Sequence, residues 1–176
     1  MSRLTEPLPV LTGTSVRLRL LRAEDRAALR AILAQPEVAR WWDTADPDAA
    51  VDEWLEADAD SVGFAIELDG QVVGSIQYAE ENEPGYRHAG IDLFLDSEHR
   101  GRGLGPDAIR TLARHLIAAR GHHRLTIDPA AANERAILAY RKVGFRPVGV
   151  MRLYERAPDG TWHDGLLMDL LAGELT

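Results

Sequence analysis

The chain has no cysteine, a single lysine (Lys142), no long apolar run and no tract of basic residues. Without cysteine there is no disulfide, no thiolate nucleophile and no cysteine-ligated zinc. No apolar run approaches the roughly 20 residues that are needed to cross a bilayer, and the stretch from Met1 to Thr12 lacks the layout of a signal peptide. These absences favour a cytoplasmic protein.

The charge of the chain is also informative. Acidic side chains outnumber basic ones by 28 to 20, which gives a formal net charge of −8. Because such a domain repels phosphate backbones and anionic lipid, neither nucleic acid nor a membrane is expected as a partner. A length of 176 residues with 45% hydrophobic side chains predicts one domain over residues 1–176 with its own core. The oligomeric state, monomer or dimer, is left open.

Hydrophobic periodicity predicts a chain in which strands and helices alternate. Asp69-Gly70 is a strong signal for a two-residue hairpin turn. The predicted strands are 16–20, 62–68, 72–78, 88–95, 125–127, 145–154 and 162–171, and the predicted helices are 23–33, 47–57, 106–120 and 133–143. This order predicts an α/β (α+β) fold, with a mixed central sheet of about seven strands flanked by about four helices.

A glycine-rich segment connects a strand to a helix in the second half of the chain. It reads Arg100-Gly101-Arg102-Gly103-Leu104-Gly105-Pro106-Asp107. Glycine lets a ligand approach the backbone closely, and the free amides at a helix start bind phosphate oxygens. The two arginines would add positive charge beside such a phosphate. The alternative is an ordinary glycine turn before a helix.

A second segment combines polar and small residues on one helical face. Asn133, Ala136 and Tyr140 are spaced three and four apart, so they share that face. Asn suits a helix cap, Ala leaves room for a ligand, and Tyr offers a hydroxyl two turns further along. The alternative is that Asn133 only caps the helix and Tyr140 only packs in the core.

Together, and in this order, the two segments resemble the acyl-CoA-binding motifs of the GNAT superfamily of N-acetyltransferases. The resemblance implies that acetyl-CoA is the acetyl donor and that no metal is needed. It places the glycine loop at the pyrophosphate, and it gives Tyr140 the task of protonating the departing CoA thiolate. It also implies that the strand containing Phe94 and Leu95 runs beside the thioester. The residues that it implies for the donor are Phe94, Leu95, Arg100, Gly101, Arg102, Gly103, Leu104, Gly105, Asp107, Asn133, Ala136 and Tyr140.

Two carboxylates and two tryptophans are the candidates for binding the acceptor. Asp92 lies inside an apolar strand, where burial would raise the pKa of its side chain and so suit a base that removes a proton from an ammonium group. Asp128 ends the next strand. Trp41 and Trp42 are adjacent, so both cannot face the same core, and at least one should line a surface or pocket. The alternatives are a structural ion pair for Asp92, a turn for Asp128 and core packing for a tryptophan.

Within the superfamily, this combination looks most like aminoglycoside 6′-N-acetyltransferases. That likeness implies a polycationic amine substrate held by Asp92 and Asp128, with Asp92 as the catalytic base. The alternatives are a siderophore-hydroxylysine acyltransferase, an N-terminal acetyltransferase of ribosomal proteins or peptides, and a non-catalytic acyl-CoA sensor. A sensor needs neither a base nor an acid, so Asp92 and Tyr140 argue against it.

Acidic residues cluster in two segments. Eight lie between Asp43 and Asp60 with no basic residue among them, and Glu80, Glu81 and Glu83 precede the strand of Asp92. The resemblance places both segments beside the acceptor site, where a negative field would attract a polycation. The alternative is that these carboxylates are simply solvated on the surface.

Overall fold

The structure is a computed structural model that describes residues 8–42, 46–56, 60–157 and 159–176. Its first part forms two small strands followed by helices. The strands are β1 (Leu11–Thr12) and β2 (Arg17–Leu20), and the helices are α1 (Arg26–Leu33), α2 (Pro36–Ala39) and α3 (Pro47–Leu55). The apolar side chains of α1 and α3 face one another, and Val51 of α3 is fully buried.

Three antiparallel strands follow. They are β3 (Ser61–Leu68), β4 (Gln71–Glu81) and β5 (His88–Leu95). Asp69 and Gly70 both have positive φ, 50° and 81°, which is the backbone geometry that a two-residue hairpin turn requires.

The second half of the chain alternates helices and strands. Its elements are α4 (Leu104–Ala118), β6 (Arg124–Ile127), α5 (Glu134–Arg141), β7 (Arg146–Arg156) and β8 (Trp162–Leu171). In the described part of the chain the eight strands form one sheet in the order β1-β2-β3-β4-β5-β6-β8-β7. The pairing of β5 with β6 is parallel, and the other pairings are antiparallel.

Helices cover both faces of this sheet. On one face α4 contributes Ile109, Leu112 and Leu116, all fully buried, to the main core. On the other face a smaller cluster joins α1, α2 and α3 to Phe94 of β5. The layered, mixed sheet is the predicted fold class.

The element count is slightly higher than predicted. The sequence pattern does not predict strand β1, because two residues are too short to show a period, and it does not predict helix α2, because Pro36 indicates the end of a helix. Pro36 instead starts α2, where its missing N–H costs nothing. Residues 23–25 of the predicted first helix form a 3₁₀ turn, and Pro106 is the third residue of α4 instead of the first. In the described ranges, no helix combines the length and the apolar character that a membrane span needs.

Candidate active site

The central feature of the candidate site is a gap between β5 and β6. These parallel strands pair only at Ala89↔Leu125 and Gly90↔Thr126, whereas β5 continues to Leu95. Beyond Gly90 the strands therefore diverge and leave space at their carboxyl ends, where ligands bind in sheets of this kind. A cleft of about 830 Å³ extends from the later residues of β5 to α4 and α5.

Most of the residues predicted to contact the acetyl donor line this cleft. They are Phe94, Leu95, Arg100, Gly101, Gly103, Leu104, Gly105, Asn133, Ala136 and Tyr140. Trp41 and Trp42 line it as well. Arg102 is exposed in the glycine loop and does not line it. The structure thus brings two distant sequence segments to one cavity, and binding of acetyl-CoA there stays a prediction.

The glycine loop has the backbone of an anion-binding turn. Gly101 and Gly103 adopt positive φ, 77° and 79°, a region that side chains disfavour. Gly103 caps α4, and the first α-helical hydrogen bond runs from the Asp107 N–H to the Gly103 carbonyl, at 3.1 Å. The N–H groups of Leu104 and Gly105 come before that bond, so they are available to an anion at the positive end of the helix dipole.

Two guanidinium groups lie beside this loop. Arg100 donates to the carbonyl of Glu37 at 3.0 Å. Desolvation and the neighbouring positive charge of Arg135 lower the pKa of Arg100. A Cβ placed on Gly101 would lie 3.5 Å from Nη2 of Arg135. Arg135 lines the cleft but was missed in the sequence, although its position in the first turn of a helix beside a phosphate loop could have revealed it.

Asp107 has a different place from the one expected. Its side chain is buried, and its carboxylate accepts hydrogen bonds from the N–H groups of Thr14, Ser15 and Val16 at 2.7–3.0 Å. These bonds hold the pKa of Asp107 below its usual value despite desolvation. The residue therefore anchors the first turn of α4 to the turn between β1 and β2 and does not line the cleft, which corrects its predicted role as a donor contact.

Helix α5 carries the candidate acid. Asn133 caps this helix, since its side-chain oxygen accepts from the N–H of Ala136 at 3.2 Å. Two turns along, Tyr140 lines the cleft. Desolvation raises the pKa of Tyr140 well above its ordinary value, and the charges of Asp92 and Asp128 raise it further. Tyr140 is therefore a protonated phenol at neutral pH that can donate its proton.

Asp92 of β5 and Asp128, directly after β6, lie close enough to Tyr140 for their charges to act on it, although neither is among the residues that line the cleft. Asp92 retains access to solvent, but enough protein surrounds it that desolvation, followed by the charge of Asp128, raises the pKa of Asp92 to about 7. Its oxygen also accepts a hydrogen bond from the Leu93 N–H at 3.1 Å. A carboxyl group with this pKa exists in both protonation states near neutrality, as a general base requires.

The two tryptophans have separate surroundings. The Trp42 indole donates to the carbonyl of Leu93 at 3.1 Å and packs against Trp54 and Phe94, with ring centroids 5.6 and 5.1 Å away. Arg40 stacks over Trp41, with its guanidinium carbon 4.7 Å from the ring centroid. Trp42 thus ties the loop after α2 to β5, and both rings wall the cleft.

Three carboxylates of the acidic segments are bound by basic side chains and do not line the cleft. On α3, Asp48 and Asp52 form ion pairs with Arg30 and Arg26 of α1. Glu80 is fully buried and bound by Arg120 and His122, away from the cleft. Asp43 and Asp58 lie outside the described residues.

Negative charge instead reaches the site from β7. The charge of Glu155 contributes to the raised pKa of Asp92, after desolvation and Asp128. The Asp128 carboxylate lies near the Tyr154 hydroxyl and is the main cause of the raised pKa of Tyr154. The sequence does not predict a role for either residue, because the alternation of side chains along a strand does not show which distant residues a side chain will contact.

Comparison with known proteins agrees with this geometry. The acetyltransferase (GNAT) domain family matches residues 15–146 of the chain. The protein belongs to the GNAT acetyltransferase family.

Among its relatives, the chain is 30% identical over 168 residues to aminoglycoside N(6′)-acetyltransferase type 1 of Klebsiella pneumoniae, with 85% of this chain and 81% of that protein covered. It is 26% identical over 160 residues to spermidine N(1)-acetyltransferase of Escherichia coli (strain K12), with 88% and 84% covered. Mycobacterium smegmatis RimJ, solved with CoA-disulfide, superposes with a TM-score of 0.82 at 27% identity, covering 97% of this chain and 89% of that one.

Proposed function

We propose that this acetyltransferase transfers an acetyl group directly from acetyl-CoA to a primary amine of a polycationic small molecule, with the 6′-amine of an aminoglycoside antibiotic as the leading acceptor. The observation that carries the proposal is that Tyr140, which lines the cleft, lies close enough to Asp92 and Asp128 for both charges to raise its pKa. A base near pH 7, a second anion and a proton donor are the groups that this reaction needs.

The donor half of the site serves to hold phosphates and the thioester. The N–H groups of Leu104 and Gly105 and the guanidinium groups of Arg100 and Arg135 offer positive charge to the pyrophosphate. Acetyl-CoA supplies an activated carbonyl, which the gap between β5 and β6 receives beside Phe94 and Leu95.

The acceptor half prepares the nucleophile. Asp92 accepts a proton from the ammonium group, directly or through water, and the free amine attacks the thioester carbon. As the carbon–sulfur bond breaks, Tyr140 protonates the leaving thiolate, and the second proton that the attacking nitrogen loses restores the Tyr140 phenol. Because the chain has no cysteine, transfer takes place in a ternary complex and not through a cysteine-bound acetyl group.

The choice of a polycation as acceptor is supported by charge and by two relatives. Asp92, Asp128 and Glu155 form a group of carboxylates that offers binding sites to several ammonium groups. The relatives named for aminoglycosides and for spermidine both act on such amines. This function would confer antibiotic resistance if the aminoglycoside is the natural acceptor. The proposed location of the protein is the cytoplasm.

A protein or peptide amino terminus is a second candidate, which the sequence leaves open. A siderophore hydroxylysine is the remaining alternative from the sequence. Thiol release from acetyl-CoA should be measured with kanamycin, spermidine, a peptide amine and hydroxylysine, alongside thermal shifts with each. Release with kanamycin, abolished in Asp92→Asn, supports the proposal. Release with the peptide alone would replace the acceptor class.

A further inference from the structure

Tyr154 lies next to the acceptor carboxylates. Its side chain is half exposed, at 51%, and its hydroxyl lies near enough to the Asp128 carboxylate that this neighbour is the main cause of the raised pKa of Tyr154, about 12. A phenol donates one hydrogen bond, so the second oxygen of Asp128 stays available to a cation. Tyr154 is neither the acid nor the base of the proposed reaction, and it belongs to β7, outside the elements that hold the donor.

Strand β7 departs from regular geometry where Tyr154 is found. Its register with β8 shifts between Met151 and Glu155, which leaves extra residues without a cross-strand partner. Within this bulge Leu153 has φ of +50°, an unusual value for a residue other than glycine. The Leu153 N–H donates to Oδ1 of Asp164 at 2.8 Å, and this bond holds the bulge in place.

A glycine on the partner strand makes room for the ring. A Cβ at Gly165 would lie 2.8 Å from Cδ1 of Tyr154 and 3.2 Å from Cε of Met151. Gly165 is buried and its φ is not positive, so its backbone alone would accept another residue. The Tyr154 ring occupies the space that a side chain at position 165 would fill.

The same stretch of β8 holds the segment that follows Asp128. The Leu166 N–H donates to the carbonyl of Pro129 at 2.9 Å, and the Ala131 N–H donates to the carbonyl of Asp164 at 2.8 Å. Ala130 and Gly165 form an isolated bridge between these bonds. Residues 164–166 therefore contact both the Tyr154 ring and the segment that directly follows Asp128.

We infer that Tyr154 is a positioning residue for the acceptor, which holds the Asp128 carboxylate beside Asp92 so that a second ammonium group of the substrate is bound. The inference rests on the proposed function. An acceptor with two amines contacts both Asp92 and Asp128, whereas a monoamine contacts Asp92 alone. Tyr154 thus favours diamines and higher amines over monoamines.

Tyr154→Phe tests this role, because it keeps the ring and removes the hydroxyl. The KM for kanamycin or spermidine should rise about tenfold, the scale of one hydrogen bond to a charged group. The kcat, the KM for acetyl-CoA and the kcat/KM for a monoamine such as 2-phenylethylamine should stay within about twofold of wild type. Tyr86→Phe, in the exposed turn before β5, is the matched control.

A double-mutant cycle separates positioning from an independent contact. If Tyr154 acts through Asp128, then Tyr154→Phe should have almost no effect in an Asp128→Asn background. Gly165→Ala, which displaces the ring, should raise the diamine KM as Tyr154→Phe does. Additive effects of Tyr154→Phe and Asp128→Asn, or an unchanged diamine KM, would overturn the inference while the proposed function stood. Failure of the wild-type enzyme to acetylate any amine would instead overturn the proposed function.

Discussion

Asp128 lies close enough to Asp92 for the two carboxylates to interact, although they belong to different strands. Desolvation of Asp92, followed by the charge of Asp128, raises the pKa of Asp92 to about 7. Both carboxylates in turn add to the raised pKa of Tyr140. The divergence of β5 and β6 after Gly90 allows Asp92, Asp128 and Tyr140 to lie close together.

The pH dependence of the reaction should report on this pair. A base must be ionised, so kcat/KM for the acceptor should rise with pH through about 7, the pKa of Asp92. Asp128→Asn removes a charge that raises this pKa, and the rising limb should move to lower pH by roughly half a unit to one unit. Steady-state rates from pH 5 to 9, with Glu83→Gln as control, measure it. A limb that does not move would show that Asp128 does not act on the base.

Tyr140→Phe should slow the chemical step. Loss of a general acid costs about a hundredfold in kcat or more, whereas the Kd for CoA by calorimetry should change little. Tyr78→Phe is the matched control, because the Tyr78 hydroxyl is buried and finds no partner among the described residues. A Tyr140→Phe variant with normal kcat and lower thermal stability would identify a structural residue.

Arg135 should contribute to donor binding and not to chemistry. Arg135→Gln removes a guanidinium group beside the glycine loop, and the KM for acetyl-CoA should rise about tenfold, as for loss of one charge-assisted contact. The kcat should stay near wild type. Arg114→Gln, on the exposed face of α4, provides the control. An equal change in the two variants would mean that only overall charge matters.

A cluster of Glu80, Arg120 and His122 should govern the stability of the fold at low pH. Glu80 bonds Arg120 and His122 at 2.5–2.9 Å. Although desolvation opposes ionisation, these partners lower the pKa of Glu80 from 4.5 to about 2. Because the pKa of Glu80 is lower in the folded protein than in the unfolded chain, the ionised group stabilises the fold at pH values above 4.5. This stabilisation is lost as the pH falls from 4.5 towards 2.

The Glu80→Gln variant measures the contribution of ionised Glu80 to the stability of the fold. Its free energy of unfolding at pH 7 should fall by about 2 kcal/mol or more, because Arg120 and His122 lose their buried anion. The difference from wild type should shrink towards pH 2. Glu81→Gln changes an exposed neighbour and serves as control. Urea unfolding at several pH values measures both effects, and a difference that is constant with pH would contradict the ionised state of Glu80.

Several features of this molecule were predictable from local sequence. The bounds of β5 and β8 match the prediction because each strand ends at turn residues. The glycine loop was predictable because its glycines indicate a backbone that other residues disfavour. Asp92 was recognisable as a candidate because a carboxylate within an apolar strand is unfavourable unless it is paired or functional. Local patterns did not reveal Tyr154 or the inward direction of Asp107, because each depends on a partner far along the chain.

The same limit explains the acidic segments. Counting charges along the chain cannot show that Asp48 and Asp52 pair with arginines of α1, or that Glu80 is buried. The carboxylates that remain beside Asp92 come instead from the end of β6 and from β7. The composition suggested a cationic substrate, and the folded arrangement shows which carboxylates lie near Asp92.

The most direct test of the mechanism is acetyl transfer to kanamycin and to spermidine by wild-type enzyme and by Asp92→Asn, followed as CoA thiol release. The mechanism predicts that wild type acetylates a polyamine and that Asp92→Asn lowers kcat/KM by about a hundredfold or more, with the Kd for acetyl-CoA unchanged. Near-normal acetylation by Asp92→Asn across the pH range would contradict it.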